Sequence, residues 1–251
     1  MRSSGIGVSD AGASATYRYR ALAAEHRWER WTVRTVVAAG AGVIAAGLSA
    51  WWAGLVVAAL FICGHVAYVR FRPGSVASWR RGALAERRTG RRLARLDPAG
   101  FHVLHDRALP GGARPMANLD HLVIGLSGVY AIASRRFRVT ARLRVEERRL
   151  WVGSKPLVGV TRLAVRAADV VADLLSEELG QDVRVTPLVV VHGARVPRDG
   201  VEHRGVLFCS AKAIPRRIAR EPVVYTSAQV AAIAAAAERL LPPMMEIILP
   251  E

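Results

Sequence analysis

The sequence predicts an α/β domain, a β-sheet flanked by helices, behind an N-terminal transmembrane helical hairpin. Three observations carry that prediction. Residues 35–69 contain no Asp, Glu, Lys or Arg. Short β-branched runs at Leu119–Ile124, Val129–Arg135 and Val183–His192 have strand character. Between and around them, residues 79–96 and 160–179 repeat their apolar positions at helical spacing.

The chain has 251 residues, enough for one ordinary domain with an appendage or for two small ones. Its net charge is +16. Such a charge suits a phosphate-rich partner, either nucleic acid or the anionic face of a membrane. Nearly all of the positive charge is arginine, the only lysines being Lys155 and Lys212. Cys63 and Cys209 lack metal-ligand spacing and imply no disulfide framework.

Residues 1–16 are rich in Ser, Gly and Ala and read as a disordered tail. Residues 17–34 form a basic, helix-compatible juxtamembrane segment. The apolar block at 35–70 is too long for one straight span: a single helix would reach roughly 50 Å against about 30 Å of hydrocarbon. Two spans fit, at about 33–50 and 53–70, with a turn near Ser49–Gly54. Trp51 and Trp52 would sit at the far interface, with Trp28, Trp31 and Tyr68 at the near one. Gly40, Gly42 and Gly47 would let the second span approach the first. Both flanks are basic, so both termini are expected in the cytoplasm, in a two-span protein of the cell membrane. The late start of the apolar block, with no cleavage-type site after it, argues against a signal peptide.

Pro73 and Gly74 should break the chain before a helix over 79–96. On it Ala83, Glu86, Gly90 and Leu93 share a packing face, which puts a carboxylate among small and apolar residues. Arg88, Arg91, Arg92 and Arg95 lie on the other side. They suit nucleic-acid phosphates, anionic lipid headgroups or plain solvent.

Phe101–His105 reads as a strand and ALPGGARPMAN as a loop. Leu119–Ile124, a turn at Gly125–Gly128 and Val129–Arg135 form a hairpin. If Ile124 pairs with Val129, Asp120 faces Ala133 and Asn118 faces Arg135. His121 then points to the face away from Asp120. Leu143–Val152 reads as one strand with Trp151 inward. The helix over 160–179 carries an apolar stripe of Leu163, Ala167, Val170, Val171 and Leu174, with Gly180 beyond its end. Val183–His192 and Gly205–Ser210 are further strands. A last helix starts near Thr226 with Ser227 as N-cap and ends at Pro242–Pro243. Residues 243–251 form an apolar tail. The domain is thus expected over 79–242.

Taken in order, GALAERRTGRRL, VLHDRALP and NLDHLVIGLSGVYAIASRRF resemble the nuclease-related domain, NERD. That family is related to the PD-(D/E)xK nucleases and implies a restriction-endonuclease-like core over about residues 79–210. The resemblance implies a site of a helix Glu, a strand Asp and an acidic-x-Lys motif on the next strand. Glu86 and Asp120 match the first two. Ala133 stands at the acidic position and Arg135 at the Lys position. Ala133 brings no carboxylate to a Mg²⁺ or Mn²⁺ ion. Arg135 stays protonated and cannot act as a base. The expectation is therefore a degenerate site without cofactor, in which Arg135 pairs with the acids at the old metal position. Lys155 is too far along the chain to replace the missing Lys. The expected role is a membrane-anchored module that binds nucleic acid or a protein partner. The alternatives are an active metal-dependent nuclease on DNA or RNA, and a structural protein of the lipid surface.

Overall fold

The structure is a computed structural model that describes residues 10–25, 27–71, 75–96, 98, 100–110 and 117–249. The Pro73–Gly74 break, residues 1–9 of the expected tail and the middle of the 108–118 loop lie outside the described residues. Contacts divide the chain into two units: one spans 15–80, and the other runs from Arg81 onward and takes in residues 10–14.

The first unit holds most of α1 (Ala13–Glu25), then α2 (Arg27–Leu48) and α3 (Trp51–Phe71). Helix therefore begins inside the segment expected to be a patternless tail. Within α2 and α3, Trp31–Leu48 and Trp51–Tyr68 are long and apolar enough to cross a membrane. Outward residues such as Val36, Ile44, Leu55 and Leu60 are exposed. The turn is tighter than expected, confined to Ser49 and Ala50. Of the three glycines expected to ease packing, only Gly42 does so. A methyl group there would meet the Gly54 carbonyl at 2.9 Å and Ala58 at 3.2 Å, whereas Gly40 and Gly47 face open space. The helices thus cross where two glycines remove the side chains between two backbones.

The second unit is built on a six-stranded sheet. Its strands are β1 (Phe101–Leu109), β2 (Ala117–Gly125), β3 (Gly128–Arg136), β7 (Val185–His192), β8 (Val201–His203) and β9 (Val206–Ser210). The order is β1-β2-β3-β7-β9-β8. The first three are antiparallel neighbours, β3–β7 and β7–β9 are parallel, and β8 returns antiparallel to β9. Between β3 and β7 lie a small sheet of β4 (Leu143–Glu146), β5 (Arg149–Val152) and β6 (Lys155–Pro156), then α5 (Val160–Leu179). A parallel pair needs such a crossover connection.

Strand alternation divides the core. Leu122, Ile124, Val129 and Ala131 pack with α5 and with α7 (Ser227–Leu240). Val123, Tyr130, Ile132, Leu188 and Val190 pack with α4 (Ser75–Leu93) and α6 (Ile214–Arg220). Both faces of the central strands are covered, which explains their near-continuous apolar character. This mixed sheet with helices on both faces fits a restriction-endonuclease-like core.

Several local expectations change. Residues 143–152 are not one strand but a hairpin turning at Glu147–Arg148, and Leu150 is buried where Trp151 is only half-buried. The buried stripe of α5 is Ala164, Ala168, Val171 and Leu175. Leu163 lies off it, 59 % exposed. The expected residues Ala167, Val170 and Leu174 sit at the margin of that contact. Thr226, not Ser227, caps α7: its hydroxyl accepts from the Gln229 N–H, and the Gln229 side chain accepts from the Thr226 N–H. The C-terminal stretch contains a short helix, α8 (Met244–Ile248), with Met244 buried and the Ala108 N–H bonded to the Pro242 carbonyl.

Candidate functional site

α4 supplies one side of the site. Ala83, Ala85, Glu86, Thr89, Gly90 and Leu93 are all buried, an i, i+3, i+4, i+7 pattern with a carboxylate and a hydroxyl inside it. The small residues have a local purpose. Segment 10–14 lies against this face, and a methyl group on Gly90 would come 2.7 Å from the Ala11 side chain. Gly12 sits at φ +74 beside the Ala83 carbonyl and the Glu86 carboxyl, so its backbone hand and its lack of a side chain are both used.

The β1–β2–β3 sheet supplies the other side. The hairpin register is as expected, with Ile124 opposite Val129, and it continues to His121 opposite Ile132. Extended one step, it sets Asp120 opposite Ala133. On the other flank, His105 pairs with His121 and Arg107 with Leu119. Between those two pairs the ladder skips Asp106 and Asp120, and Asp106 sits at φ 50. Both carboxylates are buried, Asp106 at 0 % and Asp120 at 5 % exposed, and the Asp106 charge acts on Asp120.

Each acid is compensated differently. The Ser14 N–H and hydroxyl both donate to Asp106, at 2.6 Å each, and the Asn118 amide donates at 3.3 Å. Asp120 accepts the Ser134 N–H at 2.6 Å and the Arg135 guanidinium at 3.3 Å, both on Oδ2. Burial raises the Asp120 carboxyl above its ordinary range, while Arg135 and the Ser134 N–H pull it down. Glu86 is 8 % exposed and its Oε2 has no hydrogen-bond partner. Burial first, then the charges of Asp120 and Asp106, push its carboxyl up to about 8, against the opposing pull of Arg135.

A second network shares this wall. Thr89 Oγ1 lies 2.7 Å from the Ser134 hydroxyl and 2.9 Å from His192 Nε2. His121 Nε2 is 3.4 Å from the same Ser134 hydroxyl, and its Nδ1 is 2.8 Å from His105 Nδ1. That contact requires one ring to donate and the other to accept. His121 is held well below the ordinary imidazole range by burial and by its two neighbouring imidazoles. Burial, with Arg88 and Arg136 nearby, lowers His192 to about 4. His121 therefore points away from Asp120, as strand alternation demands, but into a polar network.

The donor set differs from the acidic one that the resemblance implies. Ala133 offers no carboxylate, both Asp106 oxygens are engaged by Ser14, and a guanidinium holds Asp120. Among the described residues no group of three His, Cys, Asp or Glu side chains is placed to hold a metal ion. The structure brings together Glu86, Asp120 and Arg135, and it adds Asp106 and Ser14, which the sequence reading missed.

The four arginines lie elsewhere. Arg88, Arg91, Arg92 and Arg95 line a groove of about 460 Å³ with His192, Ala211 and Lys212. Lys212, also missed, comes from the turn after β9. Five cations meet there, and no acid is among the lining residues. His192 belongs to both places, joined to the acid site through Thr89 and Ser134.

Comparison with curated proteins and with solved structures finds no match. Residues 81–192 match the family model of the nuclease-related domain. That span runs from the start of the packing face of α4 to the last residue of β7, and so contains Glu86, Asp106, Asp120, Arg135 and His192. Residues 81–192 of this chain are thus similar to the nuclease-related domain, NERD.

Proposed function

We propose that the chain is a membrane-anchored NERD module that binds nucleic-acid phosphates in the α4 groove and does not cleave them. The groove carries the reading. Five like charges without an acid repel one another until a polyanion supplies the counter-charge. The Arg135–Asp120 pair supports the catalytic silence, since it places a fixed cation where the reaction would need metal ligands and a titratable amine. The two apolar helices and their basic flanks support anchorage with both termini in the cytoplasm.

The full chain in nanodiscs of zwitterionic lipid should bind DNA or RNA with strong salt dependence. It should release no product with Mg²⁺ or Mn²⁺. Changing Arg88, Arg92 and Lys212 to Gln should weaken binding at least tenfold at physiological salt. Metal-dependent cleavage abolished by Asp120→Ala would overturn the silent reading. Binding only to anionic vesicles, without nucleic acid, would assign the groove to lipid. The unpartnered Glu86 Oε2 favours the nuclease as second reading. The double change Ala133→Asp with Arg135→Lys addresses it by restoring a carboxylate and an amine, and is expected to confer metal-dependent cutting.

A further inference from the structure

A second pocket lies away from the acids and the groove. The β4–β5 hairpin turns on Glu147–Arg148, flanked by the Glu146–Arg149 pair. The β8–β9 hairpin turns on Arg204–Gly205, flanked by the His203–Val206 pair. All four turn residues have positive φ, between 48° and 73°. Such two-residue turns favour Asn-Gly or Asp-Gly. Here each turn places an arginine in the left-handed region, Arg148 at φ 60 and Arg204 at φ 52. A long side chain there runs against local preference.

Both arginines line the same pocket, of about 590 Å³. Arg149 and Arg162 line it as well. Leu150, Pro156, Leu157, Val158 and Val165 give the pocket its apolar floor of lining residues. Among them Val158 is 85 % exposed. His203 braces one wall, with Nδ1 3.1 Å from the Thr161 hydroxyl and Nε2 3.0 Å from the Arg148 carbonyl. No acid and no aromatic ring other than His203 is among the lining residues.

The geometry points to a binding site for a single-chain anionic lipid, a long-chain fatty-acid carboxylate with its head on the arginines and its chain on the apolar floor. Charge complementarity requires the anionic head: four guanidiniums and no carboxylate line the pocket. The floor selects the rest. A nucleotide would need an aromatic platform for its base, and a bare anion would leave the apolar floor in water. The volume is that of a small-ligand site. The inference is independent of the groove and of any reading of the acid site.

The test uses the full chain in nanodiscs of zwitterionic phosphatidylcholine, with a photoactivatable palmitate and peptide mapping of the adducts. Labelling of α2 and α3 serves as the internal control. The expected result is saturable labelling within 148–165, competed by palmitate and not by hexanoate or inorganic phosphate. Val165→Trp, which fills the floor, should reduce that labelling at least tenfold. So should Arg148→Gly with Arg204→Gly. Glycine suits positive φ, so this variant should melt at the same or a higher temperature. A merely structural role for these arginines predicts the reverse, a lower melting temperature. Equal competition by phosphate or by an acidic peptide, labelling confined to α2 and α3, or unchanged labelling in the filled variant would each overturn the proposal.

Discussion

Glu86 is a carboxyl that keeps its proton through the neutral range. Its folded-state value of about 8 lies above its ordinary 4.5. The unfolded chain releases this proton near 4.5, while the folded chain holds it until about 8. The stability from this group is therefore fully present below about 4.5 and is lost as pH rises toward 8. Glu86→Gln removes the titration. Its melting temperature should fall less than the parent's between pH 5 and 8.5, with the largest advantage at the alkaline end. A parallel pair of pH–melting curves would refute this. Arg135 tests the opposite sign. Arg135→Ala leaves Asp120 only the Ser134 N–H, and should cost roughly 1–3 kcal/mol at pH 7. The guanidinium is partly exposed, so the lower end is expected. Adding Asp120→Asn should recover part of the loss in a thermal-unfolding cycle. Glu86, Asp120 and Arg135 were legible from the sequence because spacing on one helix and alternation on one hairpin place them. Asp106 and Ser14 were not, because their bond joins residues 92 positions apart and Ser14 sits in a stretch without pattern.

α4 shows how one helix serves two surfaces. Its small face receives segment 10–14 and the sheet, and its arginines line the groove. Helical spacing made both faces legible. The central hairpin was read in register because its two-residue turn between Gly125 and Gly128 fixes the pairing. Short elements escaped, namely β8, α6, α8 and the 143–152 hairpin. Few residues give little periodicity, and a turn of Glu147–Arg148 carries none of the usual turn chemistry. The stripe of α5 was read one residue off because Ala164, Ala168 and Thr161 are small enough to pack close while weighing little as apolar residues. The N-cap of α7 gives a clean element-scale test. Thr226→Ala should cost about 1 kcal/mol by removing the reciprocal bonds with Gln229, while Ser227→Ala should be near neutral. Equal losses in thermal unfolding would return the cap to Ser227.

At the scale of the molecule, the net charge of +16 is unevenly used. Some arginines pair with acids, as Arg239 does with Glu178 and Arg217 with Glu221. Those of the α4 groove share their lining with no acid. If that groove carries the binding, the logarithm of nucleic-acid affinity should fall linearly with the logarithm of salt concentration. Each groove cation removed should reduce the slope by about 1, with little change in sequence preference. Removing Arg217 or Arg239 should leave the slope unchanged.

The bond between Ser14 and Asp106 constrains the route of the chain. Ser14 precedes both apolar helices, and Asp106 follows them. Hydrogen bonds of 2.6 Å cannot be made across a lipid bilayer about 30 Å thick in its core. If α2 and α3 cross a membrane, the chain must cross and come back before β1 can close on Ser14. A third crossing, or only one, would take both Ser14 donors away from Asp106. The count of crossings is therefore tied to a buried carboxylate in the domain. Deleting one helix should unfold the domain as well as reverse a flank. For the same reason a fragment starting at residue 79 is not the whole domain, whose first packed residues lie on the other side of the hairpin in sequence.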